Sequence, residues 1–201
     1  MHIVCLDLEG VLIPEIWINF AEKTGIEQLR LTTRDIPDYD ELMRGRLAIL
    51  REHRLTLADI QDVIRTLNPL DGALEFLNNI RAKTQVVILS DTFTEFAQPL
   101  MEKLAWPSIF CNELAVGPSG MIEGYHLRQY DGKRKAVKAL QSIGFTVFAA
   151  GDSYNDLTMI KSADQGALFR APQRIKEEEP QLPCAETYED FVRIIDKFLE
   201  T

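Results

Sequence analysis

Basic residues are in deficit: 22 Lys and Arg stand against 31 Asp and Glu, a net charge of −9. A chain this acidic lacks the basic stripe of a nucleic-acid binder, so no nucleic acid is expected as a partner. It still admits a small anionic substrate, because a site can be locally positive. No apolar run is long enough to span a bilayer, and no membrane partner is expected. The N-terminus lacks the basic-then-apolar layout of a signal peptide. Cysteine is scarce: Cys5, Cys111 and Cys184 are scattered and odd in number. They read as reduced core thiols of a cytoplasmic protein rather than as a disulfide frame. His2, His53 and His126 show no metal-ligand spacing and are expected to be non-catalytic. Internal repeats and low-complexity tracts are absent. The single charge run, Lys176–Glu179, precedes Pro180 and reads as a solvated helix end. The methionines and tryptophans are expected in packing.

What is present is enough apolar residue, 46% of 201, for one core plus a small insertion. Strand-like runs occur at 3–6, 86–89, 109–111, 147–150 and 167–169, with helical patterns between most of them. That alternation predicts a doubly wound α/β fold with a mostly parallel sheet. Residues 13–70 break the pattern, with no convincing strand. Ile16, Trp17, Phe20 and Ala21 share one helix face; Leu57, Ile60, Ile64 and Leu67 share another, opened by a Thr56/Asp59 capping box. A helical cap over 13–70, inserted after the first strand, is therefore expected beside a core of 1–12 and 71–201. Residues 113–128 read as a β-hairpin turning at Gly117-Pro118-Ser119-Gly120, and 188–199 as a closing amphipathic helix.

In an open parallel sheet, ligands bind at the carboxyl ends of strands. Here the first strand ends in Asp7-Leu8-Glu9, the second in Ser90-Asp91-Thr92 and a later one in Gly151-Asp152-Ser153-Tyr154-Asn155-Asp156. Asp131-Gly132-Lys133 opens a helix between them. Carboxylates at buried strand ends are costly unless they serve a metal or a reaction. Phosphoryl transfer suits the set. Asp7 could attack phosphorus and, with Asp152, hold Mg²⁺. Lys133 and Ser90 could bind phosphate oxygens, and Glu9 could move the proton.

The segments Asp7-Leu8-Glu9-Gly10-Val11, Ser90, Lys133 and Gly151–Asp156 resemble, in order and spacing, the four motifs of the haloacid-dehalogenase (HAD) phosphatases. The resemblance implies a nucleophile at Asp7, an acid/base at Glu9, phosphate binding by Ser90 and Lys133, and Mg²⁺ held by Asp7, Asp152, Asp156 and the Glu9 carbonyl. The family usually has Asp at the position of Glu9. Within it, the helical insertion with Glu15 and Arg46 is similar to phosphoserine phosphatases. The Glu9 variant resembles their bifunctional branch, which also transfers phosphate to homoserine. Phosphoserine, with homoserine as a second acceptor, is the implied partner; a homodimer is left open.

Several of these residues have plainer readings. Leu42, Arg46 and Leu50 share a helix face, so Arg46 sits in an apolar stripe, as a substrate-carboxylate ligand or a structural ion pair. Glu15 reads equally as an ammonium ligand or a partner of a helix dipole. Asp91 is either a substrate-binding residue or an N-cap, and Asn155 a phosphate contact or a cap. The rival functions are a receiver domain, an inactive HAD-like binding module, and a phosphatase for another small metabolite.

Overall fold

The computed structural model describes every residue except Arg34 and Pro37. The chain opens with β1 (His2–Leu6) and continues through α1 (Ile16–Thr24), a 3₁₀ turn at Glu27–Arg30, α2 (Tyr39–Glu52) and α3 (Leu57–Thr66). Next come α4 (Ala73–Arg81), β2 (Gln85–Phe93), α5 (Thr94–Met101), β3 (Ile109–Val116) and β4 (Ile122–His126). The remainder is α6 (Gly132–Ser142), β5 (Thr146–Gly151), α7 (Leu157–Ser162), β6 (Gln165–Phe169), α8 (Gln173–Glu178), β7 (Cys184–Ala185) and α9 (Tyr188–Leu199).

The strands form one seven-stranded sheet in the order β4-β3-β2-β1-β5-β6-β7, parallel except for β3 with β4. This is the expected doubly wound fold. Its central strands are apolar on both faces because helices cover both. Val4 and Leu6 of β1 and Phe148 and Ala150 of β5 enter one core cluster with Phe76 of α4, Phe96 of α5 and Phe191 of α9. Ile3, Cys5, Val147 and Ala149 enter the opposite cluster with Val137 of α6, Ile160 of α7 and Ile175 of α8. Strict alternation along each strand thus fills two layers, each fully buried large side chain adding roughly 1.5–3 kcal/mol.

Order along the sheet reverses at β1: β2 and β3 lie to one side, β5 and β6 to the other. The crevice beyond the carboxyl ends of β1 and β5 is the switch point of the fold. Leu6 pairs with Ala150, and the Asp7 N–H donates to the Ala150 carbonyl at 2.9 Å. That register places Asp7 beside the loop that carries Asp152.

Residues 13–70 hold α1, α2 and α3 and, among the described residues, no strand. Their apolar faces join the larger core cluster through Trp17, Phe20, Met43 and Ile60. The two chain crossings of this segment are tied together where the Leu70 N–H donates to the Leu12 carbonyl at 2.9 Å. A second attachment lies at α3, where the Leu57 N–H donates to the Gly120 carbonyl and Gln61 Nε2 to the Glu95 carbonyl.

Four expectations need correction. The second strand does not stop at Leu89: Phe93 still pairs with Asn112, and the four steps from Leu89 to Phe93 face two on β3. Ser90, Asp91 and Thr92 therefore lie in a bulge, not beyond the strand. The run at 109–111 and the first arm of the hairpin are one strand, parallel to β2 and then antiparallel to β4. Trp106 is 67% exposed, because the chain turns there through two residues of positive φ, Ala105 and Trp106. Of the cysteines, all free, Cys5 is buried and Cys111 half-buried, but Cys184 is exposed on the edge strand β7. That two-residue strand is too short to carry an apolar signature.

Candidate active site

Asp7, Ser90, Lys133, Asp152 and Asn155 converge on one cleft of about 390 Å³, although they come from four separate stretches of chain. Lys133, in the first turn of α6 and buried, is the hub. Its Nζ lies 2.9 Å from Asp7 Oδ1, 2.8 Å from Asp156 Oδ1 and 3.4 Å from Asp91 Oδ2. Burial disfavours its charge, but Asp156, Asp7 and Asp91 outweigh burial and hold the ammonium well above its ordinary pKa. Asp7 is pushed up by burial and by the Asp156 charge, with Lys133 opposing.

Asp156 is fully buried and organises the loop after β5. Its Oδ2 accepts from the Asp152 and Ser153 N–H groups, each at 3.1 Å, and from Ser153 Oγ at 3.0 Å. Gly151 lets it approach: a Cβ there would lie 2.2 Å from the Asp156 Cγ. Carboxylate oxygens of Asp7, Asp152 and Asp156 fall within 4.8 Å of one another. Three carboxylates against one lysine leave excess negative charge in a buried place, and an all-oxygen donor set suits a hard cation such as Mg²⁺. Gly10, with φ at +76°, completes the cradle, since a Cβ on it would sit 2.4 Å from Asp152 Oδ2. The residues fit the ion.

Ser90 is buried in the β2 bulge, where its Oγ accepts from the Thr92 N–H at 3.2 Å. Asp91 does not cap α5, because the bulged strand runs on and the N-cap is Phe93. Instead its Oδ2 accepts from Asn155 Nδ2 at 3.1 Å, and its carbonyl accepts from Asn112 Nδ2 at 3.0 Å and from the Tyr39 hydroxyl at 3.3 Å.

The opposite wall is built from the helical segment. Glu9 Oε2 accepts from the Ile16 N–H at 2.8 Å, so Glu9 rather than Glu15 caps α1. Glu15 is the N-cap residue, yet its side chain makes no capping bond. It faces the cleft with Arg46. Burial, then the Glu15 charge, pushes the Glu9 carboxyl up to about 8, with the Ile16 N–H and Arg46 opposing.

Arg46 is 8% exposed. Its guanidinium stacks 4.4 Å over the Trp17 ring, and Nη2 donates to the Leu31 carbonyl at 2.8 Å. Its Nε is buried without a partner. Burial pulls its pKa down to about 10, while Glu9, Tyr39 and Glu15 favour the charge. No carboxylate lies within ion-pair distance of it among the described residues, so the structural ion-pair reading of Arg46 has no support. Arg46 thus brings a buried cationic fork to the wall of the cleft, with Nη1 against Met43 Sδ and Nη2 on the Leu31 carbonyl.

Trp17, Tyr39 and Arg170 are among the cleft residues that the sequence does not single out as functional. Trp17 was assigned to core packing by its helical spacing, and Tyr39 carried no signal. Arg170 could have been found, since it directly follows the run 167–169 and the strand-end rule applies there as elsewhere.

This is a doubly wound α/β protein with acidic groups and a lysine gathered at its switch point. A haloacid dehalogenase-like hydrolase model matches residues 1–164. "Phosphoserine phosphatase ThrH" of Pseudomonas aeruginosa is 58% identical over 96% of this chain and 94% of its own. A phosphoserine phosphatase of Pseudomonas syringae pv. tomato is 57% identical over 94% and 80%. Among solved structures, an apo phosphoserine phosphatase superposes with a TM-score of 0.77 at 22% identity, over 97% of this chain and 98% of that one. A phospho-aspartyl intermediate analogue of phosphoserine phosphatase gives 0.73 at 21% identity, over 92% and 93%. The chain belongs to the haloacid dehalogenase-like hydrolase family. Phosphatases of this family generally use Mg²⁺.

Proposed function

We propose that this protein is a Mg²⁺-dependent phosphoserine phosphatase that also passes the phosphoryl group to homoserine. The observation that carries the reading is one cleft with two kinds of wall. Asp7, Ser90 and Lys133 stand on the side that suits a phosphate, and Glu15 and Arg46 on the side that suits an ammonium and a carboxylate. The relatives named phosphoserine phosphatase support it.

In this mechanism Asp7 Oδ2, the oxygen not engaged by the Leu8 N–H or Lys133, attacks phosphorus. The P–O bond to serine breaks, and Glu9 gives its proton to the departing oxygen. Glu9 then takes a proton from the next acceptor, whose oxygen attacks the phosphoaspartyl group and regenerates Asp7. Water as acceptor gives inorganic phosphate; homoserine gives phosphohomoserine. Lys133, Ser90 and Asn155 hold phosphate oxygens, and Arg46 and Glu15 orient the amino acid. Asp7, Asp152, the Glu9 carbonyl and, more remotely, Asp156 would hold Mg²⁺, which when bound neutralises charge on the phosphoryl oxygens. Residues 13–70 act as the cap that excludes bulk water.

The test is incubation with phosphoserine, Mg²⁺ and homoserine, followed by quantification of inorganic phosphate and phosphohomoserine. Turnover to either product supports the phosphoserine reading, and the absence of both overturns it. Glu9→Asp should shift the transfer-to-hydrolysis ratio several-fold, because one methylene changes how far the proton acceptor reaches; an unchanged ratio removes Glu9 from acceptor choice. Gly10→Ala should displace the Asp152 carboxylate and raise the half-saturating Mg²⁺ concentration tenfold or more, read by titrating Mg²⁺ against activity. An unaltered titration would remove Asp152 from the metal site.

A further inference from the structure

We propose that Asp91 occupies the phosphate's seat on Lys133 and sets how weakly the enzyme holds inorganic phosphate. The inference rests on the reading of this cleft as a phosphate site. An ammonium has three N–H donors. Lys133 Nζ donates to Asp156 Oδ1 at 2.8 Å, and Asp7 Oδ1 and Asp91 Oδ2 crowd it as ion-pair partners at 2.9 and 3.4 Å. A phosphate oxygen that comes to Lys133 competes with these three carboxylates for one ammonium. Asp7 and Asp156 are buried and lie at 2.9 and 2.8 Å; the Asp91 side chain is 45% exposed and lies at 3.4 Å. Asp91 is the one that gives way.

It cannot go far. Its carbonyl is held by Asn112 and Tyr39, and its Oδ2 by Asn155. The displaced carboxylate therefore stays beside the bound phosphate, and two anions share one cation. For a substrate, the contacts of Arg46 and Glu15 with the amino acid offset that repulsion. Inorganic phosphate has no such contacts, so it is expelled as Asp91 returns to Lys133. Asp91 is thus a positioning and specificity residue, and it makes no bond to the reacting atoms.

The experiment measures inhibition of phosphoserine hydrolysis by inorganic phosphate in the parent enzyme, Asp91→Asn and Asp91→Glu, all with Mg²⁺. Asp91→Asn keeps an acceptor for Asn155 and removes the charge; its Ki for phosphate should fall about tenfold. The phosphate-induced rise in melting temperature should grow in parallel, a readout independent of turnover. Asp91→Glu, which keeps the charge, should restore the weak binding. A Ki that stays the same or rises in Asp91→Asn overturns the proposal, as it would if Asp91 served to align Lys133 for phosphate. Phosphate inhibition that is not competitive with phosphoserine in the parent enzyme overturns the phosphate-site reading and this proposal with it.

Discussion

Asp7→Asn is expected to lower phosphoserine turnover by at least ~10⁴-fold and to leave no phosphorylated enzyme on rapid acid quench. The amide is nearly isosteric, so the Leu8 N–H and the packing around β1 are kept. What is lost is the anionic, nucleophilic carboxylate and with it one negative charge of the trio around Lys133. Relieving crowded negative charge should leave the melting temperature unchanged or raise it, since sites often hold groups at odds with stability. A variant that folds as well as the parent and does not turn over places Asp7 in the chemistry. Turnover within tenfold of the parent would refute the phosphoaspartyl route.

Arg46→Ala should cut kcat/KM for phosphoserine by ~10²-fold and that for a neutral aryl phosphate by less than ~3-fold. The first figure reflects the loss of a buried, charge-assisted donor, typically worth a few kcal/mol. The second follows because an aryl phosphate offers no carboxylate to the fork. Arg46→Lys should recover only part of the loss. An ammonium keeps the charge but neither the planar fork nor the stack on Trp17, whose ring lies 4.4 Å below the guanidinium. Equal losses on both substrates would show Arg46 to be scaffolding of the helical segment and not a reader of the amino acid.

The parts of this site that were legible in the sequence are the contiguous ones. Asp7-Leu8-Glu9 and Gly151–Asp156 carry acids at fixed short spacing after apolar strands, and the fold brings strand ends together whatever the loops do. Arg46 was legible as a charge in an apolar stripe. The rest depends on how one element docks against another, which periodicity does not encode. The Tyr39 bond to the Asp91 carbonyl joins residues from opposite sides of the cleft. Nothing near Trp17 announces that it lies beneath Arg46. The β2 bulge was hidden for another reason: the apolar run breaks at Ser90, and polarity reads as an end, while backbone pairing resumes at Phe93. The same logic leaves Asp91 open as a cap, since a helix starting after Thr92 would need one, and the continuing strand removes that alternative.

The helical segment is tied to the rest of the molecule along its whole length. Besides the crossings joined by Leu70 and Leu12, α3 bonds to Gly120 and Glu95, and Lys103 Nζ donates to the Arg65 and Leu67 carbonyls. On the α2 side, the Tyr39 hydroxyl donates to the Asp91 carbonyl and the Tyr125 hydroxyl to Asp40. An opening of the cleft that lifts α2 must give up the Tyr39 and Asp40 bonds. The shut form is therefore held by polar contacts at its rim as well as by the connectivity of the chain.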